Sequence, residues 1–217
     1  MNTILLISPK VEIIQWPDDM EHVIELAARN CYQSAPGGNT EGFLKSIIKR
    51  GHESVLEHCC ATVKITCDRS CSHQLVRHRL GAYSQESQRY VNYGKKPMSF
   101  ICPPQRSPGT YTSYGAFRRR LTGRWSHDPF LDSLFNAKQR YIDLLDCGWK
   151  AEDAREVLPN CTTTRVVTTY NMRQWRHIFK ERALNKHAQH QIKGIMLDVL
   201  ERFKEYTYIF DDLGEGE

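Results

Sequence analysis

Apolar residues recur along this chain at two spacings, and the switches between them lay out its elements. Behind Asp18 and Asp19, either of which can cap a helix, Val23, Ile24, Ala27 and Ala28 fall at helical intervals, with Gly37-Gly38 in the loop beyond. Glu41 to Arg50 reads as a second helix closed by Gly51. From Cys60 to Cys67 the period becomes two. Ala61, Val63, Ile65 and Cys67 alternate with Thr62, Lys64 and Thr66, as in a half-buried strand. From Ser70 the spacing is helical again, with Cys71, Leu75 and Val76 inward and Gln74 and Arg77 on another face. Arg77 and Arg79 would point about 200° apart on a continued helix. Either the helix ends here, with Gly81 helping, or the two arginines serve different ligands.

Residues 95 to 130 hold Pro97, Pro103, Pro104, Pro108 and Pro129 together with Arg118, Arg119, Arg120 and Arg124, which predicts an irregular, peripheral excursion with a basic edge. Leu131, Leu134, Phe135, Ile142 and Leu145 restore an amphipathic helix, and Thr162 to Tyr170 is rich enough in Thr and Val to be a strand. A helix should then begin at Asn171, where Gln174 three residues on resembles a capping box, with Arg173, Arg176, His177 and Lys180 along one side. Free N–H groups and the dipole at that helix start add to the arginine charge and suit an anion. Ala188, Ile192, Ile195, Met196, Val199 and Phe203 form a long apolar stripe facing a core.

With 217 residues, 40% of them hydrophobic and 25% charged, the chain suffices for one sizeable core, and one domain is the simplest expectation. A formal charge of +5 favours anionic ligands but is too dispersed to single out nucleic acid. Eight cysteines could signal disulfides. The first residues, however, lack a basic leader followed by a long apolar stretch, so a reducing, cytoplasmic setting is expected. No apolar run approaches the ~20 residues that cross a bilayer.

The densest chemistry lies in Arg77-His78-Arg79-Leu80-Gly81-Ala82-Tyr83-Ser84-Gln85-Glu86-Ser87-Gln88-Arg89-Tyr90. Arginine forks bind phosphate bidentately, and neighbouring hydroxyls and amides can orient a polar ring, so the run suggests a phosphorylated heterocycle. His73 and His78 flank it, and a histidine there can be a hydrogen-bond donor or a proton shuttle. Glycine-rich dinucleotide and P-loop signatures are missing, so side chains must hold any nucleotide. His52 and His58 stand six apart rather than the four of a zinc helix motif, which argues against a metal. Cys59, Cys60, Cys67 and Cys71 lack paired metal spacing, and Cys161, near Arg155 and Arg165, has no evident base beside it; these thiols read as buried small hydrophobes.

Arg77-His78-Arg79, then seven residues, then Ser87, continuing to Arg89-Tyr90, resembles the signature of the flavin-dependent thymidylate synthases. His52-Glu53-Ser54 through Glu57-His58 is similar to the family's upstream block. Leu158-Pro159, Asn171-Met172-Arg173, Arg182 and Ala188-Gln189 follow its downstream pattern in order. The resemblance spans roughly residues 50 to 200.

It implies an α/β fold with a central, mainly antiparallel sheet flanked by helices, and an FAD enzyme in a homotetramer whose sites lie between subunits. The implied reaction makes dTMP from dUMP with methylenetetrahydrofolate as carbon donor and NADPH as reductant, without a cysteine nucleophile. By motif position Gln74, Arg77, Gln85, Ser87, Arg89, Arg155 and Arg182 would contact dUMP, with Glu86 counted beside Gln85, and Arg182 would be catalytic. Ser54, Arg77, His78, Arg79, Asn171, Arg173 and His177 would contact FAD.

Three departures accompany the match. Ser84-Gln85 stands where the family commonly has Asn-Glu, His177 where others carry Asn, and the spacer Ala183-Leu184-Asn185-Lys186-His187 differs in length from some relatives. Two other functions use the same residues. A nucleic-acid binder would set these arginines and nearby tyrosines on phosphates and bases, and a nucleotide-binding flavoprotein would bind without turnover.

Overall fold

The computed structural model describes residues 3–112, 117–119 and 125–214, without the side chains of residues 32, 117–119 and 125–127. The expected basic edge at Arg118, Arg119, Arg120 and Arg124 therefore lies outside the described side chains. In chain order the strands are β1 (Thr3–Ile7), β2 (Lys10–Gln15), β3 (Cys60–Asp68), β4 (Ala82–Gln85), β5 (Ser99–Ile101), β6 (Gly109–Thr112), β7 (Phe117–Arg119), β8 (Trp125–His127) and β9 (Thr163–Asn171). The α-helices are α1 (Met20–Tyr32), α2 (Thr40–Lys49), α3 (Arg69–Leu75), α4 (Pro129–Asp146), α5 (Ala151–Ala154), α6 (Met172–Ile178) and α7 (His190–Tyr206).

The backbone sorts into two compact units. The first comprises the residues up to Pro9, Thr66–Ser72 and Gln85–Arg165; the second comprises Lys10–Ile65, His73–Ser84 and the chain from Val166 on. In the first, a three-stranded sheet is ordered β5-β1-β6, β1 running parallel to β5 and antiparallel to β6. Helix α4 covers β1, and Ile4 and Leu6 meet Phe100, Leu131, Leu134 and Tyr141 in one core. Asp128 starts α4 by accepting from the Phe130 and Leu131 amides, and Pro129 sits at the position where its missing N–H is harmless.

This core corrects the reading of residues 95 to 130 as an irregular, peripheral excursion. Met98, Phe100 and Ile101 are buried, and β5 and β6 both pair with β1. Strands of three and four residues are too short to show a period, and the prolines that flank them masked the signal.

A four-stranded sheet is ordered β2-β3-β9-β4, with α7 against β2. Ala61, Val63, Ile65 and Cys67 of β3 are all fully buried, as the alternation requires. Trp175, Phe179, Phe203 and Phe210 form the heart of the second unit through edge-on and stacked ring pairs. Gly51 ends the second predicted helix at φ 77, a left-handed position that favours glycine. On α1 the inward stripe is Met20, Ile24 and Ala28, while Val23 is exposed. Asp19 occupies the cap position without a side-chain cap bond.

Candidate functional site

Helix α3 stops at Leu75, so Arg77 and Arg79 do not lie on a helix at all. Asp68 starts α3 by accepting from the Cys71 amide at 2.6 Å. The Arg77 and His78 amides then donate to the Gln74 and Leu75 carbonyls at 3.3 and 3.2 Å, tightening the last turn and reversing the chain. The two alternatives for this segment thus resolve in favour of the helix ending. Arg77 and Arg79 project to solvent on either side of a buried His78, and among the described residues neither guanidinium has a partner.

His78 is only 7% exposed, and its Nε2 accepts a hydrogen bond from Arg182 Nε at 3.1 Å. A guanidinium nitrogen can only donate, so Nε2 is bare and the imidazole is neutral with its proton on Nδ1. Burial first, then the Arg182 charge and His177, push the His78 pKa down to about 4. His177 stands edge-on to it with ring centroids 5.8 Å apart. His78 is therefore an acceptor to Arg182 at neutral pH, which is neither of the two roles expected for it, hydrogen-bond donor or proton shuttle.

Arg182 lies in Phe179–Leu184, where α6 widens into a π-helix. Such widenings are uncommon and re-aim side chains at functional sites. Phe179 and Ala183 anchor the segment in the core, and Arg182, half-buried, is turned onto His78. Nothing among the described residues takes its terminal nitrogens.

A groove of about 560 Å³ in the same unit is lined by Leu80, Asn171, Arg173, His177, Lys180 and Glu57, among others. Asn171 caps α6 by accepting from the Gln174 amide at 2.8 Å, as expected, which leaves its amide nitrogen to donate. Arg173 reaches Glu57 at 2.5 Å. The expectation that Arg176 shares the exposed face is corrected. Arg176 is 1% exposed, forked onto Asp212, bonded to Glu53 at 3.2 Å and to the Ile209 carbonyl. Arg173, His177 and Lys180, at i, i+4 and i+7, form the solvent face instead.

All seven positions expected to contact FAD belong to this second unit, Ser54 being exposed on the 3-10 segment Glu53–His58. Two unpartnered arginines, an amide donor and a groove with the 75%-exposed Leu80 at its edge suit a phosphorylated cofactor with flat rings. The residues present fit the group. Leu80 and Glu57 line the groove although neither is among the positions expected to contact FAD, and Lys180 lines it from the helix side expected to suit an anion. The signal for Leu80 was available, a lone aliphatic inside a polar run.

Of the positions expected to contact dUMP, Gln74, Arg77 and Arg182 belong to the second unit, and Gln85, Glu86, Ser87, Arg89 and Arg155 to the first. Gln85 donates its side-chain nitrogen to Ser72 Oγ at 3.0 Å and Thr164 Oγ1 at 3.1 Å, so two hydroxyls satisfy the amide that replaces the common carboxylate. Glu86 is spent differently: one oxygen accepts from Tyr93 OH at 2.9 Å and the other from Arg165 at 2.6 Å. Consecutive residues at a strand end point to opposite sides, so Glu86 does not supply the carboxylate one place earlier. Ser87 Oγ accepts from the Arg89 amide, Arg89 pairs with Glu152 at 3.1 Å, and Arg155 lies 3.8 Å from Glu156.

A second cavity, of about 640 Å³, is lined by Lys45, Lys49, Tyr208, Asp211 and Asp212 and contains none of the expected site residues. His52 and His58 are exposed, and among the described residues no group of three or more His, Cys, Asp or Glu could hold a metal. All eight cysteines are free thiols. Burial pushes the Cys161 thiol up to about 11, so it stays protonated at neutral pH.

A family model described as thymidylate synthase complementing protein matches residues 12–207. A flavin-dependent thymidylate synthase from Geobacter sulfurreducens is 35% identical over 218 residues, covering 95% of this chain and 88% of that one. One from Mycobacterium tuberculosis is 33% identical over 209 residues, covering 86% and 78%. Among solved structures, the UMP/dUMP methylase PolB from Streptomyces cacaoi, bound with 5-Br UMP, superposes with a TM-score of 0.73 over 95% of this chain and 94% of that one. At 22% identity the likeness is one of fold.

Proposed function

The chain belongs to the thymidylate synthase complementing protein family, that of the flavin-dependent thymidylate synthases, and we propose that it converts dUMP to dTMP with methylenetetrahydrofolate as carbon donor and NADPH as reductant. FAD, when bound and reduced, would supply the hydride that completes the methyl group. The family match over residues 12–207 supports reading the whole chain as one catalytic domain. The homotetramer follows from the same family reading.

The observation that carries the proposal is the pairing of Arg182 with a neutral, buried His78. Removing the uracil imide proton leaves negative charge on the ring. A guanidinium already held by its Nε, with both terminal nitrogens unspent, stabilises that charge without reorganising. Arg77 and Arg79, the exposed sequence neighbours of His78, take phosphate groups of substrate and cofactor. Asn171, Arg173 and His177 hold the cofactor along their groove. Gln85 binds the substrate through its carbonyl oxygen, since its nitrogen is already given to Ser72 and Thr164.

Tritium release from ring-labelled dUMP in the presence of FAD, NADPH and methylenetetrahydrofolate tests the reading. Release that requires both folate and NADPH is expected. Its absence with FAD demonstrably bound would leave a flavoprotein of this fold with another task. Arg182→Ala should lower dTMP formation at least ~100-fold while FAD stays bound; unchanged turnover would remove Arg182 from the chemistry.

A further inference from the structure

Tyr83 belongs to none of the expected contacts, yet its hydroxyl is the point on which the Arg77-His78-Arg79 turn rests. It lies 2.5 Å from the His78 carbonyl oxygen, 3.0 Å from the Leu75 carbonyl oxygen and 2.5 Å from the Tyr170 hydroxyl. The two carbonyls can only accept, and Tyr83 has a single proton to offer them. The proton between the two tyrosines must therefore come from Tyr170, which fixes the direction of the chain: Tyr170 donates to Tyr83, and Tyr83 donates to the main chain of His78 and Leu75. Tyr170 is 1% exposed, edge-on to Trp175 at 4.8 Å and to Tyr83 at 5.7 Å, so the donor end is anchored in the aromatic core.

Two hydrogen bonds thus meet at His78, one at its main chain and one at its ring. Its carbonyl is held by Tyr83, and its ring accepts from Arg182 Nε. Regular structure does not support this residue, because α3 has ended and β4 has not begun. From this geometry we propose that Tyr83 is a positioning residue for the reaction, fixing the His78 main chain and, through the His78 ring, the direction of the Arg182 guanidinium. The inference rests on the thymidylate synthase reading for its catalytic consequence and on the hydrogen-bond chain alone for its geometry.

A purely structural role is the alternative, because capping the Leu75 carbonyl would stabilise α3 without any effect on Arg182. Tyr83→Phe separates the two. The flavoprotein carrying this change should keep its FAD content and its KM for dUMP. Its kcat should fall about tenfold, since a small misalignment of a charge-stabilising group acts on the transition state rather than on binding. In an Arg182→Lys background the same change should cost almost nothing further, because the group it aims is gone.

A second readout needs no turnover. In protein labelled with 15N-arginine, the Arg182 Nε–H should exchange with solvent at least tenfold faster in Tyr83→Phe. Unchanged exchange overturns the proposal whatever happens to kcat, as does a kcat loss that persists in full in the Arg182→Lys background. Should Tyr83→Phe fail to fold, Tyr170→Phe removes the upstream donor while keeping both rings, and the same exchange measurement applies. Wild-type protein that makes no dTMP would withdraw the thymidylate reading, and the exchange rates would still decide whether Tyr83 aims Arg182.

Discussion

Arg176 and Asp212 meet fork to fork, Nη1 to Oδ1 at 2.8 Å and Nη2 to Oδ2 at 2.7 Å, with the guanidinium 1% exposed and the carboxylate open to solvent. Burial alone would raise the Asp212 carboxyl, but the Arg176 hydrogen bonds and charge outweigh it and hold it below its ordinary range. The pair joins α6 to the segment after α7 inside one unit. Asp212→Ala leaves a buried cation with Glu53 and one carbonyl as its remaining partners. A loss of about 1–3 kcal/mol in urea unfolding is expected, with unchanged FAD content, since neither residue touches the cofactor groove's exposed face. A variant as stable as the wild type would show that water replaces the carboxylate without cost.

That pair also shows where the sequence was legible and where it was not. Residues at fixed periods in long elements could be placed: β3, α4, β9 and the Asn171 cap all stand where spacing put them. Arg176 could not, because a helical wheel assigns arginine outward, and it turns inward onto carboxylates distant in sequence, Asp212 36 residues later and Glu53 123 residues earlier. The π-helix at Phe179–Leu184 has the same character, a backbone widening selected by packing rather than by local preference. For the site, the motif residues identified the chemistry. Tyr83 and Tyr170 stayed hidden because their importance lies in a hydrogen bond spanning 87 positions.

Glu57 competes for the groove. Its carboxylate holds Arg173 at 2.5 Å, and both side chains are about half exposed, 47% and 51%. An anionic cofactor group arriving there must either displace Glu57 or share the guanidinium with it. An exposed pair of this kind is worth about 0–1 kcal/mol, so Glu57→Gln should tighten FAD binding by up to roughly fivefold. Titration of apoprotein with FAD, followed by flavin fluorescence, measures it. Weaker binding would mean that Glu57 contacts the cofactor directly.

The neutral His78 makes the fold sensitive to acid. Its pKa falls from 6.5 to about 4 on folding, chiefly through burial. Between those values the unfolded chain binds a proton that the folded chain refuses, so stability declines as pH drops from about 6.5 to about 4 and levels off below. The contribution is on the order of 3 kcal/mol across that window. His78→Gln keeps an acceptor for Arg182 but no titrating ring. Urea midpoints for the two proteins should converge as pH falls through this range, and parallel curves would refute the assignment of the acid sensitivity to His78.

Gly81 is the position where the turn approaches Tyr170 most closely. A Cβ there would stand 2.2 and 2.3 Å from two carbons of the Tyr170 ring and 3.0 Å from the Thr169 carbonyl oxygen. The ring has nowhere to retreat, because Trp175 lies against it and its hydroxyl is tied to Tyr83. The turn must lift instead, and it carries Arg77, His78 and Arg79 with it. Gly81→Ala should therefore cost about 1–3 kcal/mol of stability. It should also lower turnover beyond what the folded fraction explains, because lifting the turn parts His78 from Arg182. Thermal melts paired with dTMP formation, both corrected for FAD content, give the two numbers. A wild-type melting temperature would mean that the turn already moves freely over Tyr170, and His78 could then not serve as a fixed support for Arg182.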